Sequence, residues 1–306
     1  MITTLCLNPS FDKTVEVDAM TVGGLHRVRR LRTDPGGKGS NVAAVLVRLG
    51  AQTRCLGLAG ENGAAQYEAM LDQIGVPHGF LHMPGQVRTN LKIVSLDGAE
   101  VTEINEPGPE VNIKLLDSLI RLARDNCRGD DFIILTGSLP PGCSHDTYAR
   151  VMRALPVPCV LDASGETLRQ SLKATPFLVK PNLQELSDQA GRPLKTREEI
   201  REAAHRMIAA GARNVLVSMG AHGALLVNPA GALFSPGLRV PVSSTVGAGD
   251  AMTAGFVAGF VETGSFREAM RRGMAAGAAS VMTDGTQLIR REDYDALLGK
   301  VEIQEV

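Results

Sequence analysis

The sequence contains no tryptophan, and aromatic residues fill only 4% of its 306 positions. A surface that stacks nucleic-acid bases needs aromatic side chains, so this composition does not favour one. The formal net charge of -1 gives no overall attraction to nucleic acid or to an anionic membrane. We therefore expect neither nucleic acid nor a membrane among the partners of this protein.

The chain also lacks the patterns of exported, zinc-bound and membrane-spanning proteins. Its five cysteines form no CxxC pair, which argues against a disulfide framework and a zinc site. No uninterrupted apolar run approaches the ~20 residues that a membrane-spanning helix needs. The first residues do not have the basic and apolar regions of a signal peptide. These features predict a cytoplasmic protein.

Short apolar runs that are typical of buried strands alternate with helical patterns along most of the chain. A helix is predicted over residues 41–49, with Gly50 just after its end. A second helix begins at the capping-box pattern of residues 196–199 and ends at Gly211. Such alternation predicts an α/β protein, with a mainly parallel sheet and helices on both faces. The clearest strand candidates are Phe132–Thr136, 158–161, 177–179 and 214–218.

Two segments depart from this alternation. Residues 86–106 predict a hairpin, because Asp97-Gly98 separates two β-like runs. Residues 12–33 also have an extended, alternating pattern. An isolated ribbon is marginally stable, so the two segments are expected to pair as a small β-sheet lid on a single domain of residues 1–306.

The segment Gly247-Ala248-Gly249-Asp250 precedes a helical stretch over residues 251–262. Small residues let successive N–H groups converge at a helix N-terminus, which suits a transferring phosphoryl group. An aspartate in that first turn is also placed to accept a proton from a hydroxyl. The alternative is that Asp250 is simply a favourable first-turn acid and the glycines form a turn.

A second glycine-rich segment, Pro35-Gly36-Gly37-Lys38-Gly39-Ser40-Asn41, also leads into a helix. It places a lysine where a ligand can approach the backbone. The alternative is a flexible loop with a solvated lysine.

Together these motifs resemble the PfkB family of ribokinase-like sugar kinases, in particular the subgroup containing 1-phosphofructokinase and tagatose-6-phosphate kinase. The resemblance runs along most of the chain in the family's order. Ala251 and Ser40 depart from it, since many relatives carry a serine and an isoleucine or leucine there. The other matching segments are Asn8-Pro9-Ser10-Phe11-Asp12, Glu106-Pro107-Gly108-Pro109-Glu110, Thr136-Gly137-Ser138-Leu139-Pro140-Pro141-Gly142 and Lys180-Pro181-Asn182-Leu183-Gln184-Glu185.

The resemblance implies ATP and Mg²⁺ as cofactors. It makes Asp250 the catalytic base, with Gly247, Ala248 and Gly249 as the anion hole. Asn182 and Glu185 match a pair that holds Mg²⁺ largely through water. By itself, Glu185 would be interpreted as a first-turn helix acid. The implied nucleotide contacts are Lys180, Thr245 and the turn with Ser218, Gly220 and Gly223, which by itself indicates only a hairpin turn.

On the sugar side, the resemblance assigns Asp12, Gly37 and Asn41 to sugar hydroxyls. It assigns the phosphate of the substrate to Lys38, Arg88 and Ser138, since guanidinium and ammonium groups suit a dianion. Arg27 is a further candidate from the lid. Its alternative interpretation is that the basic stretch 27–32 protects an edge strand.

The implied reaction is ATP-dependent phosphorylation of a ketohexose phosphate, most closely fructose 1-phosphate to fructose 1,6-bisphosphate. Three alternatives remain open: a tagatose-6-phosphate kinase, a kinase for an unphosphorylated sugar or nucleoside, and a non-catalytic sugar-phosphate sensor. The phosphate-binding candidates argue against the second, and intact Asp250 argues against the third. The family resemblance and the apolar residues of 91–105 also predict a homodimer through the lid.

Overall fold

The structure is a computed structural model that describes residues 1–98, 100–283 and 289–306. The strands are β1 (Ile2–Cys6), β2 (Ser10–Val17), β3 (Arg30–Gly36), β4 (Thr53–Gly60), β5 (His78–Gln86), β6 (Arg88–Ser95), β7 (Glu100–Asn105), β8 (Phe132–Thr136), β9 (Cys159–Asp162), β10 (Leu178–Val179), β11 (Val215–Ser218), β12 (Ala224–Asn228), β13 (Gly231–Ser235) and β14 (Gln304–Glu305). The helices are α1 (Lys38–Arg48), α2 (Glu61–Gln73), α3 (Ile113–Asp125), α4 (Thr147–Ala154), α5 (Gly165–Leu172), α6 (Leu183–Ala190), α7 (Arg197–Ala209), α8 (Ala248–Thr263), α9 (Phe266–Ser280) and α10 (Arg291–Leu298).

The larger sheet has the strand order β14-β13-β12-β11-β10-β9-β8-β1-β4-β5. Neighbouring strands are parallel from β5 across to β11, and the pairs from β11 to β14 are antiparallel. This arrangement confirms the predicted mainly parallel sheet. The four strand predictions are also confirmed, although β9 lies one residue later than 158–161 and β10 contains only the last two residues of 177–179.

Alternate residues of each central strand pack on opposite faces of this sheet. Ile133 and Leu135 of β8 belong to a core shared with α3 to α7. Ile134, between them, belongs to the core of α1, α8, α9 and α10. Buried strands read as continuous apolar runs for this reason, and the predicted helices on both faces are confirmed.

The ends of the helices follow local chemistry. The capping box predicted at residues 196–199 is present, since Thr196 accepts from the N–H of Glu199 and the Glu199 side chain accepts from the N–H of Thr196. Gly50 follows α1 with a φ of 78°, as a C′ glycine should. However, α1 begins at Lys38 and not at residue 41, because Gly37 serves as its N-cap. Likewise α8 begins at Ala248, three residues before the predicted start.

The smaller sheet has the order β3-β2-β6-β7. β6 and β7 form the predicted antiparallel hairpin, and β2 pairs with β6 in parallel. The prediction for residues 12–33 was partly wrong, because residues 18–29 are not in a strand and β3 continues to Gly36. Ala99, which follows the predicted Asp97-Gly98 turn, lies outside the described residues.

The register of the smaller sheet sorts its residues by face. Asp12 pairs with Asn90, and Val15 pairs with Leu31 and Ile93. One face therefore carries mainly polar side chains, whereas the other carries apolar ones. Within the described part of the chain, no helix is long and apolar enough to cross a membrane.

Candidate active site

The predicted site residues gather where the parallel strands of the larger sheet end. Asn8 follows β1, Ser138 follows β8, Asp162 ends β9 and Lys180 follows β10. Ligands of open α/β sheets bind at this carboxyl edge. The N-termini of α1 and α8 lie at the same edge, since Asn41 of α1 contacts Asp250 of α8.

Asp250 is a buried carboxylate in the first turn of α8, only 5% exposed. Asn41 Nδ2 donates to its Oδ2 at 3.1 Å. Gly247, the N-cap, has a left-handed φ of 80°, which favours glycine. The first N–H groups of a helix have no intrahelical acceptor, so this turn offers donors to an anion beside the carboxylate.

Burial raises the pKa of Asp250 to about 6. Lys38 opposes this effect, the neighbouring carboxylate of Asp162 adds to it, and the hydrogen bond from Asn41 and the charge of Lys180 lower the pKa again. A carboxylate with a pKa near neutrality is a better proton acceptor than an ordinary one and is still mostly ionised at pH 7.

Asp162 joins two predicted phosphate-binding lysines. Its Oδ2 lies 3.6 Å from Lys38 Nζ and 3.5 Å from Lys180 Nζ. Burial alone would raise the pKa of Asp162, but the two ammonium groups hold it below its ordinary value. Burial would lower the pKa of Lys38, but the carboxylates of Asp162, Asp250 and Glu185 raise it. Lys38 therefore stays positively charged at neutral pH.

Two glycines of the predicted motifs lie in close contact with their surroundings. A Cβ at Gly37 would lie 2.9 Å from Cys6 Sγ, and its φ of 99° disfavours other residues. A Cβ at Gly249 would lie 3.2 Å from Lys180 Nζ. These glycines thus let the two helix N-termini approach the strand ends closely.

Arg88, at the start of β6, lies against the loop that follows β1. Its Nε and Nη2 each donate to the Asn8 carbonyl at 3.3 Å, and Nη1 donates to Asn90 Oδ1 at 3.1 Å. Asn8 Nδ2 in turn donates to Ser138 Oγ at 3.4 Å. The structure therefore connects Arg88 with Ser138 through Asn8.

Asp12, on β2, is 5% exposed. Ser10 Oγ and Asn90 Nδ2 both donate to its Oδ1 at 2.9 Å. A Cβ at Gly36 would lie 2.2 Å from the same oxygen, so the glycine-rich segment passes directly beside this carboxylate. Asp12 and the segment with Gly37 are thus neighbours, as predicted.

Asn182 and Glu185 form the capping box of α6. Asn182 Oδ1 accepts from the N–H of Glu185 at 2.8 Å, and Glu185 Oε2 accepts from the N–H of Asn182 at 2.9 Å. This geometry agrees with the helix-end interpretation of Glu185. It also leaves the second carboxylate oxygen of Glu185 without a partner in the described residues. Oxygen donors of this kind fit a magnesium ion held partly through water.

The predicted nucleotide turn lies next to this capping box. Ser218 ends β11 and bridges to Asn182, and a short 3₁₀ turn, Gly220–His222, leads into β12. Gly223 has a φ of 96°, and a Cβ there would lie 1.9 Å from the Ser235 carbonyl oxygen. Thr245 is exposed, and its carbonyl accepts from the N–H of Ala248 at 3.4 Å.

Arg27 is the one sugar-side candidate that the described contacts do not link to the others. It is exposed, in the segment 18–29 between β2 and β3. Conversely, the sequence did not indicate Asp162, Asn8 or Lys92 as site residues. The one signal for Asp162 in the sequence was its position as an acid at the end of an apolar strand run. Only the fold shows that Lys38 and Lys180 both contact it.

Comparison with known proteins agrees with this geometry. The profile of the pfkB family carbohydrate kinases matches residues 6–292. The chain belongs to this family. The resemblance found in the sequence is therefore confirmed, and this kinase takes its phosphoryl group from ATP as members of the family do.

Individual relatives cover nearly the whole of this kinase. The 1-phosphofructokinase of Haemophilus influenzae is 35% identical over 306 residues, which span 99% of this chain and 97% of the relative. That of Rhodobacter capsulatus is 40% identical over 260 residues, 84% of this chain and 82% of the relative. The solved structure of phosphofructokinase-2 from Escherichia coli in complex with fructose-6-phosphate has 28% identity and a TM-score of 0.91, with 98% of each chain covered.

Proposed function

We propose that this kinase transfers the γ-phosphoryl group of ATP to the free primary hydroxyl of a ketohexose phosphate, with fructose 1-phosphate as its preferred substrate. The names of the two relatives described above support the substrate. The observation that carries the chemistry is the buried carboxylate of Asp250, with its raised pKa, at a helix N-terminus beside two lysines.

Asp250 is the catalytic base. It accepts the proton of the attacking hydroxyl, and Asn41 holds the carboxylate in place through its 3.1 Å hydrogen bond. The amides of Gly247, Ala248 and Gly249 stabilise the charge on the transferring group. Phosphoryl transfer depends mainly on positioning and electrostatics, so this turn can serve without a P-loop.

ATP lies along the β10–β12 side of the sheet edge. Lys180 contacts its phosphates, and Ser218, Gly220, Gly223 and Thr245 line the nucleotide. Glu185 and Asn182 would hold Mg²⁺, mainly through water, and the ion would supply positive charge beside the phosphates. The proximity of Ser218 to Asn182 supports a single nucleotide and metal region.

The sugar phosphate lies between the glycine-rich segment and the smaller sheet, which acts as a lid. Asp12, Gly37 and Asn41 bind the sugar hydroxyls. Lys38, Arg88 and Ser138 hold the phosphate that the substrate already carries, because a guanidinium and an ammonium group complement a dianion. The connection of Arg88 to Ser138 through Asn8 supports this shared role.

A coupled assay of ADP formation with a panel of sugars tests the proposal. We expect kcat/KM for fructose 1-phosphate to exceed that for fructose 6-phosphate and tagatose 6-phosphate. A buried polar partner left unpaired costs ~1–3 kcal/mol, so the preference should be strong and not exclusive. Preference for tagatose 6-phosphate would reject fructose 1-phosphate as the preferred substrate. If none of the sugar phosphates supports ADP formation, the kinase mechanism is rejected.

The apolar face of the smaller sheet is the interface of a homodimer. Leu31 and Ile104 lie on this face and are 56% and 55% exposed. Exposed apolar residues that form a contiguous surface on a sheet favour association with a partner. The opposite, polar face remains available to the substrate.

A further inference from the structure

Lys92 is a buried lysine in the smaller sheet. It lies on β6, on the same face as Arg88 and Asn90, and it is only 7% exposed. Lysine is almost never buried to this degree unless it is paired. Its Nζ lies 3.5 Å from Asp12 Oδ2, its one ion pair within the described part of the chain, although Glu103 of β7 lies opposite it in the register.

Lys92 completes the surroundings of the Asp12 carboxylate. Ser10 and Asn90 donate to Oδ1, which leaves Oδ2 to the ammonium group. All three partners belong to β2 and β6, the central pair of the sheet. The direction of the carboxylate is therefore fixed by the sheet itself, before any ligand binds.

A second carboxylate gives this cation an electrostatic role. Asp34 of β3 lies directly opposite Asp12 of β2, and like charges in such a pair repel. Arg32 Nε donates to Asp34 Oδ2 at 2.7 Å. Lys92 supplies the corresponding positive charge on the other side of Asp12. Without it, Asp12 would face Asp34 with no ion-paired cation, because Arg88, whose charge interacts with Asp12, forms no ion pair with it in the described residues.

We propose that Lys92 is a positioning residue for sugar recognition, which balances the charge of Asp12 and holds its carboxylate toward the hydroxyls of the ketohexose. This inference rests on the proposed function, in which Asp12 accepts hydrogen bonds from the sugar. Lys92 acts through Asp12 and contacts neither the phosphoryl group nor ATP. It should therefore affect sugar binding selectively.

Lys92→Met removes the charge and keeps most of the side-chain volume. We expect the sugar KM to rise at least about tenfold, which corresponds to about 1.4 kcal/mol. The KM for ATP and the kcat should change less than about twofold, because an interaction made equally in ground and transition states affects KM alone. Lys92→Arg keeps a cation and should restore most of the sugar affinity. Lys300→Met, at an exposed lysine far along the chain, is the matched control.

A double-mutant cycle separates an action through Asp12 from a direct contact. Asp12→Asn and the double variant Asp12→Asn/Lys92→Met should have the same sugar KM. An additive increase in the double variant would overturn the proposal, because Lys92 would then bind the sugar itself. The double variant also removes both charges together, so no buried charge is left unpaired, and it remains testable where Lys92→Met folds poorly.

Wild-type turnover is measured first, because it distinguishes a failure of the proposed function from a failure of the role of Lys92. Turnover of a ketohexose phosphate with an unchanged sugar KM in folded Lys92→Met would overturn this inference alone. Absence of wild-type turnover with every ketohexose phosphate would overturn the proposed function and this inference with it.

Discussion

Replacing Asp250 with Asn should have opposite effects on activity and on stability. The substitution keeps the shape of the side chain and its contact with Asn41, but removes the charge and the ability to accept a proton. Loss of a general base typically lowers turnover ~10²–10⁴-fold. Because the binding groups remain, we expect ATP and the sugar phosphate still to bind.

The effect on stability follows from the pKa. Burial raises the pKa of Asp250 from 3.8 to about 6, so the ionised carboxylate is disfavoured in the folded protein. At about 1.4 kcal/mol per pH unit, this difference costs about 3 kcal/mol of folding free energy at pH 7. The cost is absent below the unfolded pKa, develops as pH rises through the interval to about 6, and is constant above it. Asp250→Asn should therefore be more stable than wild type at pH 7, and the difference should almost vanish near pH 4.

Urea unfolding of both proteins at pH 4, 5.5 and 7 measures this difference directly. Asp162→Asn serves as the matched control, because the pKa of Asp162 is lowered and not raised, so its loss should destabilise the protein at pH 7. If Asp250→Asn retains most of its kcat, Asp250 is only a helix-end residue. If the stability difference does not shrink toward pH 4, the buried charge is not its cause.

Three further outcomes are expected. First, kcat/KM should decline as pH falls through about 6, because the ionised form of Asp250 is the active one; a decline that persists unchanged in Asp250→Asn would assign it to another group. Second, Lys38→Ala and Arg88→Ala should each raise the sugar KM far more than the ATP KM. Loss of a desolvated charge contact typically weakens the binding free energy by ~2–5 kcal/mol. Unchanged sugar KM in both variants would contradict their assignment to the phosphate. Third, light scattering should find a homodimer at roughly tens of micromolar, a range where even micromolar affinity suffices. Leu31→Glu should shift it toward monomer, and a monomeric wild type would refute the lid interface.

Much of the fold could be predicted because its signals are local. Buried parallel strands are short apolar runs, and the capping box at Thr196 and Glu199 marks a helix end within four residues. The positive φ of Gly247 and the close contact of Gly37 with Cys6 explain why glycine motifs pointed to the correct turns. Helix starts were less predictable. The sequence from Lys38 to Ser40 resembles a polar loop, but the structure shows it as the first turn of α1, with Gly37 as the N-cap.

The site residues that the sequence missed depend on distant contacts. Asp162 matters because Lys38 and Lys180 converge on it, and these come from the start of α1 and the end of β10. Lys92 looks like an ordinary polar residue of a hairpin, and only the fold shows that it lies opposite Thr14 of β2 and is buried beside Asp12. The Asn182 and Glu185 pair illustrates the converse, since one pattern fits both a capping box and a metal site.

The two lysines on Asp162 differ in a way that fits their proposed partners. The side chain of Lys38 is 47% exposed, whereas that of Lys180 is 5% exposed. An exposed ammonium group can leave Asp162 for the phosphate of an incoming sugar without leaving that carboxylate unpaired, because Lys180 remains beside it. If Lys180 left instead, Asp162 would lose its buried partner, and a buried charge would remain incompletely paired. We therefore expect Lys38 to be the lysine that responds to the sugar phosphate, while Lys180 stays fixed between Asp162 and the first turn of α8.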